Sequence, residues 1–88
     1  MSPVSAAKLL TLLTLAEVWL KMRSWDDLAL AHRDMRELPP DIPPRSVELE
    51  LIRLLRQAEI WRQKQSLEEV ARCHADMRAL LEGVTANG

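Results

Sequence analysis

Residues 16–38 read AEVWLKMRSWDDLALAHRDMREL, and 42 positions later residues 58–80 read AEIWRQKQSLEEVARCHADMRAL. The similarity extends upstream through several leucines, so that residues 9–38 repeat as residues 51–80 without a gap. This offset equals six heptads, which preserves the helical phase between the two copies. Because two copies are too few for a solenoid, the repeat predicts a duplicated unit that packs against itself.

Each copy has the pattern of a helix, a tight turn and a second helix. Apolar residues recur every three or four positions on both sides of the turn, which indicates amphipathic helices. Ser24-x-x-Asp27 and Ser66-x-x-Glu69 resemble capping boxes, which mark the start of the second helix in each copy. The turns before these boxes are very short, so each pair of helices is predicted to be antiparallel.

We therefore predict an all-α fold of two tandem antiparallel helical hairpins, four helices in total, arranged as a bundle or as a repeat-like stack. In the alternative arrangement, a long helical hairpin exchanges its halves within a dimer. The 88 residues suffice for one domain, which we place at residues 1–83, with Gly83 as the cap after helix 4. The predicted parts are hairpin one at residues 3–38, a proline-rich connector at 39–45, hairpin two at 46–83 and a disordered tail at 84–88.

Composition excludes several classes of function. Twelve Lys and Arg residues oppose thirteen Asp and Glu residues, a balance that argues against nucleic-acid binding. A small regulator that binds nucleic acid through Arg53, Arg56 and Arg62 is kept as a minor hypothesis. Cys73 is the single cysteine, which fits a reducing compartment. The apolar run at residues 9–16 is too short to span a membrane, so we expect a cytoplasmic protein without membrane insertion.

The two histidines are the main candidates for a metal site. His32 and His74 occupy equivalent places on the apolar face of the second helix in each hairpin, so Glu17, His32, Glu59 and His74 form the metal-ligating set to consider. A di-iron bundle requires Glu-x-x-His on one helical face, and the residue three before each histidine is alanine here. We expect no metal and no cofactor. We expect instead that each histidine lies at the edge of the core and is hydrogen-bonded to a carboxylate or to the backbone.

No residue pattern predicts catalysis. Cys73 and His74 are adjacent, but neighbouring residues on a helix point about 100° apart and do not form a pair of nucleophile and base. The sequence also lacks a glycine-rich phosphate loop and a Cys-x-x-Cys motif. The chain is therefore not expected to be an enzyme.

Helix 1 suggests a binding role. It is apolar nearly all round, whereas helix 3 carries Arg53 and Arg56 where helix 1 has Thr11 and Thr14. A helix that is apolar all round must be covered on most sides, so helix 1 predicts self-association or a helical ligand. Trp25 at the hairpin corner could anchor an interface, and methionines adapt to varied contacts. The predicted partner-binding residues are Leu9, Leu13, Leu20, Trp25, Met35 and Met77.

Residues 5–64 resemble the FliT-type export chaperones of flagellar and type III secretion systems. The resemblance rests on the leucine-rich first helix, the corner RSWDDL at residues 23–28, a short helix ending in MREL at 35–38, and a third amphipathic helix at 47–61. The chain lacks the longer C-terminal helix of that group, and its duplication is more regular. The resemblance implies a cytoplasmic chaperone, without a cofactor, that holds an amphipathic helix of an export substrate in a groove between helices.

The sequence thus favours a non-catalytic protein–protein interaction module, in the form of a secretion chaperone or adaptor that binds an amphipathic helix. The alternative is a self-assembling homodimeric helical scaffold, or a small regulator, without a small-molecule ligand. Both hypotheses depend on the same apolar surface of helix 1.

Overall fold

The computed structural model describes residues 3–38 and 45–87, with side chains for residues 6–38 and 45–85. Four α-helices make up nearly all of this part of the chain, and none of its residues lies in a strand. The helices are α1 (Pro3–Lys21), α2 (Trp25–Glu37), α3 (Arg45–Gln63) and α4 (Leu67–Asn87). The predicted all-α fold of two helical hairpins is confirmed, and the predicted connector lies almost wholly outside the described residues.

The two hairpins turn in the same way. Arg23 and Gln65, which are equivalent in the repeat, have φ values of 58° and 56°. The amide of Ser24 donates to the carbonyl of Trp19 at 2.9 Å, and the amide of Ser66 donates to Trp61 at 3.0 Å. A left-handed residue followed by such a six-to-one bond is the Schellman motif that ends a helix. Each hairpin therefore reverses its chain within the three residues between its helices, a short turn as predicted.

The capping box predicted at the start of α2 is only partly formed. Ser24 is the N-cap residue, but its side chain makes no capping bond to the backbone. Its hydroxyl group donates instead to Oδ2 of Asp27 at 2.6 Å. Asp26 and Asp27 still lie in the first turn of α2, where a negative charge stabilises the positive end of the helix dipole.

The four helices are arranged in a square around an interior that holds two apolar clusters, a main cluster that includes Leu13 and a second cluster that includes Leu28. Each helix packs against two neighbours, and the pairs are α1 with α2, α2 with α3, α3 with α4, and α1 with α4. The α1–α4 contact is much more extensive than the α2–α3 contact, although the repeat relates the two. This difference between equivalent sides determines where the molecule has a cavity.

The end of α4 corrects the prediction for the C-terminus. The helix was expected to end near Glu82 with Gly83 as its cap and a disordered tail from residue 84, and that expectation is wrong for residues 84–87. Gly83 does not have a positive φ value, and the helix continues to Asn87. Val84 packs against the main core cluster, and its burial offsets the roughly 1 kcal/mol penalty of a glycine within a helix.

Within the described residues, no helix has both the length and the apolar character needed to cross a membrane.

Candidate functional site

The second helices of the two hairpins differ in length. The backbone of Leu38 is extended, with φ −71° and ψ 135°, as expected for a residue that precedes a proline. Helix α2 therefore ends at Glu37. Helix α4 continues past Ala79, the counterpart of Glu37, to Asn87, which adds about two turns.

The extra turns of α4 cover the beginning of α1. Leu81 and Val84 from these turns belong to the same core cluster as Ala6 and Leu9 of α1. The beginning of α3 has no equivalent cover from α2, because α2 has already ended. Within residues 3–38 and 45–87, one side of the bundle is therefore closed and the equivalent side is open.

A groove opens where the cover is missing. This α2–α3 groove has a volume of about 240 Å³ and receives side chains from all four helices. Its lining residues are Leu9, Met35, Arg36, Leu38, Glu48, Leu51, Ile52, Leu55, Arg56, Glu59, Met77 and Leu81.

The groove has an apolar floor and a charged rim. Leu9, Met35, Met77 and Leu81 are buried and form the floor. Half-buried leucines of α3, together with Leu38 directly after α2, form the walls, and Ile52 is 40% exposed at the edge. The rim carries charges of both signs, from two arginines and two glutamates. A surface of this kind is complementary to an amphipathic segment, which has an apolar face and charged flanks.

The groove includes three of the six predicted partner-binding residues. Leu9, Met35 and Met77 line its floor. Leu13 and Leu20 are buried in the core away from the groove, and the half-buried Trp25 packs against the second core cluster. Sequence reasoning missed the walls and the rim. The available signal was Pro39, which ends α2 early while the equivalent segment of α4 contains no proline.

Two arginine–glutamate pairs connect the hairpins at repeat-equivalent places. On the closed side, Arg78 donates from Nε to Oε2 of Glu17 at 3.1 Å and from Nη2 to Oε1 at 2.6 Å. On the open side, Arg36 donates from Nη1 to Oε1 of Glu59 at 2.5 Å. The two glutamates considered as metal ligands therefore bind arginines, and the Arg36–Glu59 pair lies at the rim of the groove.

The two histidines meet at the centre of the bundle. His32 and His74 are 0% and 1% exposed, and their Nε2 atoms are 2.9 Å apart. The rings are arranged edge to face, with centroids 5.2 Å apart. The expected position at the edge of the core, with a carboxylate or backbone partner, is wrong because each histidine is fully buried and bonds to the other. The pair joins α2 to α4 across the diagonal of the square.

Burial keeps both rings neutral. The pKa of His32 is lowered to about 3, mainly by desolvation and to a smaller extent by the charges of His74 and Arg62. The pKa of His74 is lowered to about 4, because desolvation outweighs the opposing effect of the Glu17 carboxylate. One Nε2 must carry hydrogen and the other must accept it, so the two rings have different tautomers. Neither Nδ1 atom has a hydrogen-bond partner among the residues that the structure describes.

The described residues hold no group of three or more His, Cys, Asp or Glu residues placed to bind a metal ion. Cys73 is buried, and burial, together with the charge of Asp76, raises the pKa of its thiol. A protonated thiol is a poor nucleophile, and His74 directs its ring towards His32.

No protein-family model, no curated protein and no solved structure matches this chain.

Proposed function

We propose that this chain is a non-catalytic protein-interaction module that binds an amphipathic helical segment of a partner protein in the α2–α3 groove. One observation carries the proposal. The last turns of α4 cover the start of α1, whereas among the described helices none covers the equivalent start of α3. A partner helix would occupy there the place that α4 occupies on the closed side.

The size of the groove favours side chains of a peptide over a whole small molecule. Cavities that hold drug-sized ligands measure about 300–1,000 Å³, and this groove measures about 240 Å³. Helices that bind in grooves insert apolar anchors spaced three, four and seven residues apart. A few anchors of this kind would fill the groove while the remainder of the partner helix stays in solvent.

The chain itself contains a template for the ligand. The counterpart of Met77 is Met35, which already lies in the groove floor. On the closed side, the turns of α4 beyond Ala79 add Leu81 and Val84 to the core, three residues apart. The surface that they meet on α1 is related by the repeat to the groove wall on α3. A peptide with the sequence of residues 72–87 is therefore a rational first probe for the groove.

The resemblance to FliT-type export chaperones extends this proposal. In that interpretation, the partner is an export substrate and the protein acts in the cytoplasm as a chaperone or adaptor. The resemblance is carried by the RSWDDL corner at residues 23–28, and the groove supplies the kind of helix-binding surface that such a role requires.

Fluorescence polarisation of the labelled peptide of residues 72–87 tests the proposal. We expect saturable binding in the micromolar range to the wild-type chain. Ile52→Arg places a charge at the exposed edge of the groove and should weaken binding at least about tenfold, equivalent to about 1.4 kcal/mol.

Ile60→Arg is the matched control, because Ile60 lies on the same helix, is similarly exposed at 46%, and does not line the groove. It should bind the peptide as the wild type does. An equal loss of peptide affinity in Ile52→Arg and Ile60→Arg would contradict the proposal. A wild-type chain that does not bind the peptide at about 1 mM, where even a binding free energy of about −4 kcal/mol would be detected, would also contradict it.

A further inference from the structure

The outward face of α1 carries an apolar stripe that is separate from the groove. Leu15, Val18 and Met22 are 45%, 44% and 65% exposed, and Thr11 is exposed one turn before them. These four residues, the α1 ridge, follow a 4-3-4 spacing. At 100° per residue they lie within a sector of about 60°, opposite the buried Leu13.

Hairpin two shows that the fold does not require this stripe. The positions equivalent to the ridge on α3 are Arg53, Gln57, Ile60 and Lys64, so three of the four are polar. Both helices bury similar leucines and the same small residue on their inner faces. The apolar residues of the α1 ridge therefore serve no purpose in the core of the monomer, and a surface partner is the physical alternative.

We propose that the α1 ridge pairs in antiparallel fashion with the α1 ridge of a second copy, which forms a reversible two-fold dimer. This inference is independent of the α2–α3 groove. The 4-3-4 spacing is that of the seam between two left-handed supercoiled helices. A two-fold axis midway between Leu15 and Val18 places Leu15 against Val18 of the second copy, and Met22 against Thr11. Each of these pairs across the interface then combines a larger with a smaller side chain.

Polar groups along the ridge permit this burial. The hydroxyl of Thr11 donates to the carbonyl of Ala7 at 3.0 Å, so covering Thr11 leaves no unpaired donor. The exposed Lys8 comes level with the hairpin corner of the second copy, where Arg23 and Asp26 are both exposed, so no uncompensated like charge faces it. Parallel pairing would instead bring Lys8 level with Lys8 and Lys21 level with Lys21. The distribution of charge thus favours the antiparallel dimer.

The size of the ridge predicts a weak dimer. Four side chains along about three turns bury much less than the roughly 800 Å² per partner of a standard interface. The ridge lies on the outer face of α1, whereas Leu9 faces the groove from the inner side of the same helix. Dimerisation therefore leaves both grooves accessible, and the dimer is bivalent.

Sedimentation equilibrium from about 1 µM to about 1 mM tests the dimer, a range that brackets weak association. The wild type should change from monomer to dimer within this range. Leu15→Gln/Met22→Lys installs the residues that hairpin two carries at equivalent positions, so the variant should fold, as checked by helical circular dichroism. Its dimer dissociation constant should rise at least about 100-fold.

Leu30→Arg is the matched control, because it also replaces an exposed leucine, 48% accessible on α2, with the residue that hairpin two has at that place. It should dimerise as the wild type does. A monomeric wild type at about 1 mM, or unchanged dimerisation of Leu15→Gln/Met22→Lys, would overturn the proposal. Open-ended oligomers that Ile52→Arg abolishes would also overturn it, because the ridge would then bind the groove of another copy.

A gain-of-function variant gives an independent readout. Arg53→Thr/Gln57→Leu/Lys64→Met gives α3 a ridge like that of α1. A chain with two self-pairing ridges should form assemblies larger than a dimer. Assemblies that stop at the dimer would show that the ridge pattern does not drive pairing.

Discussion

Hairpin one and hairpin two share a repeated sequence and the same turn, yet they differ in two places. The second helix ends about two turns earlier in hairpin one, and the outer face of the first helix is apolar in hairpin one and charged in hairpin two. The matched features, including the buried histidines, build the bundle. The unmatched features create the α2–α3 groove and the α1 ridge. In this duplicated fold, departures from the repeat therefore mark the two surfaces that we propose for binding.

The largest expected effect concerns the buried pair of repeat-equivalent histidines, whose stability contribution should depend on pH. Folding lowers the pKa values of His32 and His74 from 6.5 to about 3 and about 4. The unfolded chain binds more protons below pH 6.5, so this stability is complete above that pH and is lost as the pH falls towards the folded values. Between about pH 8 and about pH 5 we expect the free energy of unfolding to drop by about 4 kcal/mol for the pair.

Urea denaturation followed by circular dichroism measures this drop. The control is His32→Leu/His74→Leu, because replacing both hydrogen-bonding partners with apolar groups of similar size can be nearly neutral. Its free energy of unfolding should be almost constant between about pH 8 and about pH 5. A wild-type chain equally insensitive to pH in that range would mean that the histidines are not buried together.

A pair of repeat-equivalent leucines compares the closed and open sides. Leu13 of α1 is 0% exposed, whereas its counterpart Leu55 is half-buried in the wall of the groove. Leu13→Ala leaves a closed cavity and should destabilise the fold by about 3 kcal/mol. Leu55→Ala enlarges a cavity that is already open, so we expect only about 1 kcal/mol.

The stability of each variant is measured as the midpoint of urea denaturation at neutral pH. The dependence of the unfolding free energy on urea concentration, the m-value, should be the same in all variants. Equal losses for the two leucines would mean that the α2–α3 side is as well covered as the α1–α4 side. The difference between the hairpins would then be confined to the α1 ridge, and the proposed binding groove would lose its physical basis.

The fold could be predicted from the sequence because its determinants are local and repeated. The apolar spacing predicts the helices, and the short segments before Ser24 and Ser66 predict the hairpin turns. The end of α4 was missed because Gly83 is a local helix-ending signal, while the burial of Val84 that outweighs it is a tertiary contact. Tertiary packing overrides weak local preferences of this kind.

The candidate site was harder to predict for the same reason. The groove exists because α4 covers α1 while α2 ends too early to cover α3, and that comparison requires knowledge of which helices are neighbours. The contact between His32 and His74 also joins diagonal helices, so each histidine was assigned a carboxylate or backbone partner instead. The partner-binding prediction included Leu9, Met35 and Met77, which line the groove, but apolar composition did not distinguish them from the fully enclosed Leu13.

The smallest expected effect concerns the two arginine–glutamate pairs that connect the hairpins. Both are partly exposed, so each should contribute at most about 1 kcal/mol. Glu17 receives two bonds from Arg78, which also donates to Thr14, whereas Glu59 receives one bond from Arg36. Two-point contacts hold an arginine better than single ones, so Glu17→Gln should be more destabilising than Glu59→Gln.

Double-mutant cycles with Arg78→Ala and Arg36→Ala isolate the two pair energies at low salt. Both energies should shrink at high salt, because partly exposed charges are screened. A larger coupling energy for Arg36–Glu59 would reverse the order of the two sides and imply that α2 and α3 are held together more firmly than α1 and α4. The α2–α3 groove would then have a fixed width, and a partner helix would have to bind in it without any movement of α2.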